Sequence, residues 1–274
     1  MNLLINKLNC FLIISNCYML SLNKLLKLIP KHFIEKIDVL PTEEIDLNQR
    51  DYCHLIREGE ILSFAENKFT QLLKKNDPVG LAETIVGKSN MLNYKRYGEI
   101  KLYRLDGKAI RKEINQSGAL VKSIVKYSLK RIFDSQEETV KAPLMFEEEF
   151  LYPNEKELRR RKFEEGTWIF RSGFSNDKMY FLEKGRVQLL TCNNRELAIL
   201  GMGACFGEST LIRGKKHNNS ALAMENCLIT VIDDNILERE IEKETPLVQL
   251  TLFLVLRRLE FMNSLRMADN FSRD

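Results

Sequence analysis

The sequence predicts a mainly β chain with flanking α-helices, arranged as two tandem β-barrels, each followed by helices. Three observations predict this. Between Phe163 and Asp233, short apolar, β-branched and aromatic runs recur at regular intervals, with Gly166, Gly173, Gly185, Gly203 and Gly207 at the breaks. That is the pattern of antiparallel strands closing a small barrel rather than of helices. The same pattern recurs earlier in weaker form: Asp51–Ile61 lies over Asp177–Val187 at an offset of 126, Val79–Glu83 over Ala204–Glu208 at 125, and Leu105-Asp106 over Ile232-Asp233 at 127. Three segments in nearly one register indicate an internal duplication. Finally, a run at helical spacing without glycine or proline follows the first barrel stretch, and a long apolar run follows the second.

In chain order, Leu8–Leu20 is apolar but broken by Asn9, Ser15 and Asn16. It falls short of the ~20 apolar residues that span a bilayer. Lys7 ahead of Phe11-Leu12-Ile13-Ile14 has a weak leader character, no small-residue cleavage site follows, and Met19 offers an alternative start. Leu22, Leu25, Leu26 and Ile29 share one helical face, with Lys24 and Lys27 opposite and Pro30 at the end. The N-terminal segment 1–30 therefore predicts a helix that packs on a barrel, with membrane-surface binding the lesser option. Residues 31–134 form the worn first copy, whose opening, Phe33 to Leu47, holds no glycine. Within it, Ala119, Leu120, Ile124, Tyr127 and Arg131 predict a helix over Gly118–Phe133. The charge runs and prolines of residues 135–156, with Glu137-Glu138, Pro143, Glu147–Glu149 and Pro153, read as a linker. Arg159-Arg160-Arg161 reads as a solvated face leading into the second copy, residues 157–274, in preference to a phosphate or acidic-partner patch. Thr245 before Pro246 is a good helix start. The helix that follows, from Leu247 to Met262, is apolar nearly all round and must be buried on more than one side.

The order of the pieces around Phe163-Glu164-Glu165-Gly166, Lys184-Gly185 and Phe206-Gly207-Glu208 resembles the cyclic-nucleotide-binding domain family. This is the jelly-roll module of the bacterial catabolite activator protein and of the regulatory subunits of cyclic-AMP-dependent kinase, and the resemblance runs from Glu157 to Met262. It implies a phosphate-binding cassette after Phe206, and a ligand, cyclic AMP or cyclic GMP, held by Phe206, Gly207, Glu208, Ser209, His217, Asn218, Asn219 and Ser220. Glycine at Gly207 lets the backbone approach a phosphate, and the resemblance gives Glu208 the ribose hydroxyl. The chain departs from the family at His217-Asn218-Asn219, where an Arg-Ser-Ala run is expected. A neutral imidazole offers one donor and no charge where arginine offers a charged fork, so phosphate affinity should fall. Lys215 and Lys216 could supply charge and Ser220 a hydroxyl. Two readings stay open: a cyclic nucleotide bound in the second copy, or a pocket whose ligand is lost or changed and whose cassette survives as packing. In the first copy, Gly80 and Glu83 mark a vestigial site in which Ala82 replaces the glycine and Leu92 falls at the arginine's position, which points to a structural or partner-contacting role. In the family the last helix closes over the base or forms a dimer. Leu254, Arg258 and Phe261 are then lid or seam residues, with a core helix between the copies as the alternative.

A net charge of +4 with interspersed signs implies no nucleic-acid partner. Six scattered cysteines without a Cys-x-x-Cys pair suit a reducing, cytoplasmic setting, and His32, His54 and His217 share no metal-ligand spacing. No cofactor, metal or enzyme motif occurs, and the residues after the last helix, Ser264–Asp274, are too few for a helix-turn-helix. Two functions are expected: a cyclic-nucleotide sensor that signals through an unidentified protein partner, with a homodimer through the last helix as an option, or a ligand-free adaptor.

Overall fold

The computed structural model describes residues 21–65, 68–87, 92–133, 146–174, 178–211, 217 and 219–271. The readings placed on residues 1–18, on most of the linker, and on Lys215, Lys216 and Asn218 lie outside them.

The first half runs α1 (Leu22–Leu28), β1 (Ile34–Val39), β2 (Tyr52–Ala65), β3 (Lys68–Leu73), β4 (Pro78–Val79), α2 (Leu81–Val86), β5 (Asn93–Asp106), α3 (Gly107–Gln116) and α4 (Ala119–Phe133). Its strands form one antiparallel sheet in the order β1-β5-β2-β3, with β4 on β2. Along the long strands β2 and β5 the ladder shifts register between Ile56 and Glu58 and again across Gly59. There φ is +87, and a Cβ would stand 2.4 Å from the Glu99 carbonyl oxygen, so only glycine fits. The apolar positions of these strands, among them Ile56, Ile61, Ile100 and Leu102, close a core with Val39, Leu73 and Val79. The outer face carries cross-strand pairs such as Arg104–Glu35 and Lys101–Glu58.

After a π-helical turn at Glu147–Leu151, the second half runs β6 (Arg159–Phe163), β7 (Trp168–Phe170), β8 (Lys178–Lys184), β9 (Val187–Leu190), β10 (Glu196–Leu200), β11 (Cys205–Phe206), a 3-10 turn (Glu208–Leu211), β12 (Ser220–Ala223), β13 (Cys227–Asp233), α5 (Asp234–Glu242) and α6 (Pro246–Phe271). Two four-stranded sheets result, β10-β9-β12-β7 and β11-β8-β13-β6. Alternate residues such as Leu182, Leu189, Phe206, Ala221 and Ile229 fill the space between them.

Some strand pairings recur in the two halves. Tyr52 faces Asp106 as Lys178 faces Asp233, and His54 faces Val79 as Tyr180 faces Phe206. Gly185, at φ +98 with a Cβ position 2.7 Å from the Cys227 Sγ, repeats the part of Gly59. β5 alone spans what β12 and β13 share, and residues 40–51, lacking glycine, form turns in place of a strand like β7.

One expectation is corrected and one is narrowed. Residues 146–156 are not linker: Phe146, Phe150 and Leu151 are buried, and Phe146 lies 5.1 Å from the Phe181 ring. These apolar residues, set among the glutamates, fasten the turn to the core. The second concerns α6, for which a lid or seam and a core helix between the copies are both expected, and which takes the core position. α6 packs along α4 and reaches α1, α2 and α3 of the first half, and no residue from Leu247 to Asn263 is exposed. A helix apolar on every side is satisfied only between layers, so one continuous core joins α1 through α6. The Thr245 hydroxyl accepts from the Val248 N–H at 3.3 Å, the start expected for α6. The Glu244 carboxylate accepts from the Gly118 N–H at 2.7 Å, joining the α5–α6 corner to the α3–α4 corner. No helix among the described residues is long and apolar enough to cross a membrane.

Candidate functional site

β11 delivers the chain to Gly207, whose φ of +87 turns it into the 3-10 turn carrying Glu208 and Ser209. A Cβ on Gly207 would lie 3.0 Å from both the Lys178 carbonyl oxygen and the Tyr180 ring, and 3.3 Å from the His217 Cε1. The turn is therefore in close contact with its surroundings, and glycine is needed twice over. His217 is 1% exposed and its imidazole stacks on Phe170 at 3.7 Å between centroids and 16° between planes. Phe170 stacks in turn on Tyr180 at 5.4 Å, and Tyr180 on Phe206 at 5.3 Å. Four rings thus fill the space under the cassette. The loop after β7 is stitched to them, with the Gly173 N–H donating to the His217 carbonyl at 2.9 Å and the Ser172 N–H to the buried Ser220 Oγ at 3.0 Å. Asn219 is half-buried ahead of β12.

Glu208 faces elsewhere. Its carboxylate accepts from the Arg131 guanidinium at 2.5 Å, both side chains being nearly buried. One turn earlier on α4, the Tyr127 hydroxyl donates to the Gly203 carbonyl oxygen. Burial pushes the Tyr127 phenol up, with the Cys205 and Glu147 charges acting the same way. The Cys205 thiol is also raised, by burial first and by the Glu208 charge second. Tyr127, Ser128, Arg131, Met179, Cys205 and Glu208 line a shallow depression here, which as it stands has no room for a nucleotide.

In the first half Gly80, at φ +71, likewise follows a two-residue strand and opens α2. The backbone therefore sets Gly80 against Gly207, and Leu81 stands at the place of Glu208. Glu83 stands three residues after Gly80, at the third position of α2, whereas Glu208 directly follows Gly207 and opens the 3-10 turn. Each carboxylate has an arginine of a central helix as its partner. Glu83, 1% exposed, meets the Arg258 guanidinium of α6 at 3.6 Å, while Arg258 lies over the Phe261 ring. Among the described residues no side-chain nitrogen of Arg258 and no carboxylate oxygen of Glu83 finds a hydrogen-bond partner. Burial pushes the Tyr94 phenol up to about 12, opposed by the Arg258 charge and reinforced by that of Glu83.

Of the two roles expected for the last helix, these contacts match the core helix between the copies. Leu254 lies in the joint core, Arg258 turns to Glu83, and Phe261 packs against the first-half core, so all three side chains serve the interface between the halves. Sequence reasoning placed Arg131 and Tyr127 on a helix but gave them no part in the site. A signal existed, since Leu129-Lys130-Arg131 lies over Leu256-Arg257-Arg258 at an offset of 127. Among the described residues no cluster of His, Cys, Asp and Glu could hold a metal ion.

Residues 160–244 match the family model described as the cyclic nucleotide-binding domain. Over 93 residues the chain is 33% identical to the mouse potassium/sodium hyperpolarization-activated cyclic nucleotide-gated channel 2, a match covering 34% of this chain and 10% of the channel. The chain thus spans about a tenth of that relative's length. Among solved structures, the cyclic-AMP-bound form of the EAL enzyme Bd1971 is 29% identical over 42% of this chain and 31% of its own, with a TM-score of 0.37. The regulatory domain of Toxoplasma gondii protein kinase A with cyclic AMP is 14% identical over 85% of this chain and 96% of its own, with a TM-score of 0.31. The match to the cyclic nucleotide-binding domain model thus falls on the stretch that holds the Gly207 turn, Glu208, His217 and Ser220.

Proposed function

We propose that the chain is a cyclic-nucleotide-responsive regulatory protein of the cytoplasm, built from two tandem copies of one jelly-roll domain. The first copy is degenerate, the second takes cyclic AMP or cyclic GMP, and the response passes through α6 to a protein partner. The observation that carries this reading is the family match over residues 160–244, which brackets a left-handed glycine at the cassette turn with Glu208 beside it. The phosphate would face Gly207 and the Ser220 hydroxyl, with His217 standing where the family places arginine. The duplication is supported by the paired glycines, Gly59 with Gly185 and Gly80 with Gly207, and by Arg131 with Arg258. The buried thiols of Cys53, Cys205 and Cys227, all free, support a reducing compartment. The reading includes no catalytic step, no nucleic acid and no membrane. Ligand can shift α6 only by as much as it favours one arrangement over the other.

A second reading, a ligand-free tandem adaptor, is favoured by the His217 stack and the Arg131–Glu208 pair, which fill the site with the protein's own side chains. Thermal unfolding decides between them. A nucleotide present at about a hundred times its dissociation constant adds ~2.7 kcal/mol and raises the midpoint by a few degrees. The receptor reading expects that rise with cyclic AMP or cyclic GMP, and no rise with either leaves the adaptor.

A further inference from the structure

The central helices dock crosswise. α4 closes the first half in sequence, yet its Tyr127 and Arg131 bind Gly203 and Glu208 of the second. α6 closes the second half, yet its Arg258 reaches Glu83 of the first. The two contacts are unequal. Arg131 and Glu208 share a charged hydrogen bond at 2.5 Å, whereas Arg258 and Glu83 stand 3.6 Å apart without one. A buried carboxylate held by a guanidinium gives up that partner only for another donor set as good.

We propose that Arg131 is a built-in competitor for the second-half site and sets its specificity. It occupies the carboxylate that a ribose hydroxyl would need, so a ribonucleotide enters only by displacing the guanidinium and loosening α4. This rests on the reading of residues 160–244 as the nucleotide site. Glu208 is 9% exposed and its Oε1 already accepts from the Arg131 guanidinium at 2.5 Å, so a ribose hydroxyl and Arg131 compete for one carboxylate. α4 packs on α6, so its release reaches the helix that holds Arg258.

The test is titration of the full chain and of Arg131→Gln with cyclic AMP, cyclic GMP and their 2′-deoxy analogues, followed by calorimetry. Glutamine keeps most of the side-chain length and removes the charge. The expected result is binding of one ribonucleotide at least tenfold tighter in the variant, with no such gain for its 2′-deoxy analogue. Equal affinity in the two proteins, or an equal gain for the deoxy analogue, overturns the competitor role and leaves the receptor reading intact. Binding in neither protein overturns both. Hydrogen exchange on the unmodified chain covers the case in which Arg131→Gln does not fold: saturating ribonucleotide should speed exchange of the amides of residues 127–133, and unchanged exchange with bound nucleotide overturns the proposal.

Discussion

His54 shows how a single side chain sets conditions for the whole fold. It sits on β2 opposite Val79 and Arg104, 1% exposed, and neither ring nitrogen has a hydrogen-bond partner among the described residues. Burial pushes the imidazole down to about 4, the Arg104 charge adds to this, and Asp46 opposes it. The folded state therefore holds the neutral form. As pH falls below the ordinary value of 6.5 the unfolded chain takes the proton first, so this contribution to stability is whole above 6.5 and is lost progressively down to about 4. A shift of this size is worth about 3 kcal/mol. The urea midpoint should fall between pH 6.5 and 4, and it should fall less in His54→Phe; parallel pH profiles for the two proteins would place the titration elsewhere. His217, the residue on which the sequence reading turned, is also buried, stacked on Phe170.

At the scale of elements, much was legible because it depends on local chemistry. The amphipathic α1, the helix ending at Phe133, the start of α6 at Thr245 and the glycine breaks of the second half follow from spacing, caps and backbone freedom. What the sequence did not reveal depends on pairing across long separations. The side chain that α4 offers Glu208 comes from 77 residues away, and spacing cannot say which half a helix will cover. The turn at Phe146–Leu151 escaped because three glutamates hide two buried phenylalanines. The Arg258–Glu83 pair yields a prediction at this scale. Removing one partner leaves an uncompensated buried charge, so Arg258→Met should cost about 3–5 kcal/mol; replacing both, as Glu83→Leu with Arg258→Met, should restore most of it. Chemical denaturation of the parent, the single and the double variant decides this, and a double variant no more stable than the single would mean that the pair is held by more than its mutual charge.

Across the whole molecule, the core that joins α1 through α6 draws residues from both halves, Leu55 and Leu105 from the first sheet with Phe181 and Ile232 from the second. The halves should therefore unfold together, in one transition that coincides by Trp168 fluorescence, which reports only the second half, and by far-ultraviolet circular dichroism, which reports both. Two separated transitions would make the shared core weaker than either sheet alone. The crossed docking of α4 and α6 has one more consequence. Between separate chains, a contact of this kind would come apart on dilution. Joined by the stretch between Phe133 and Phe146, the partners meet at a fixed effective concentration, on the order of millimolar for a short tether. The seam is then equally occupied however scarce the protein is, and whatever bound there would read the state of one molecule rather than the abundance of many.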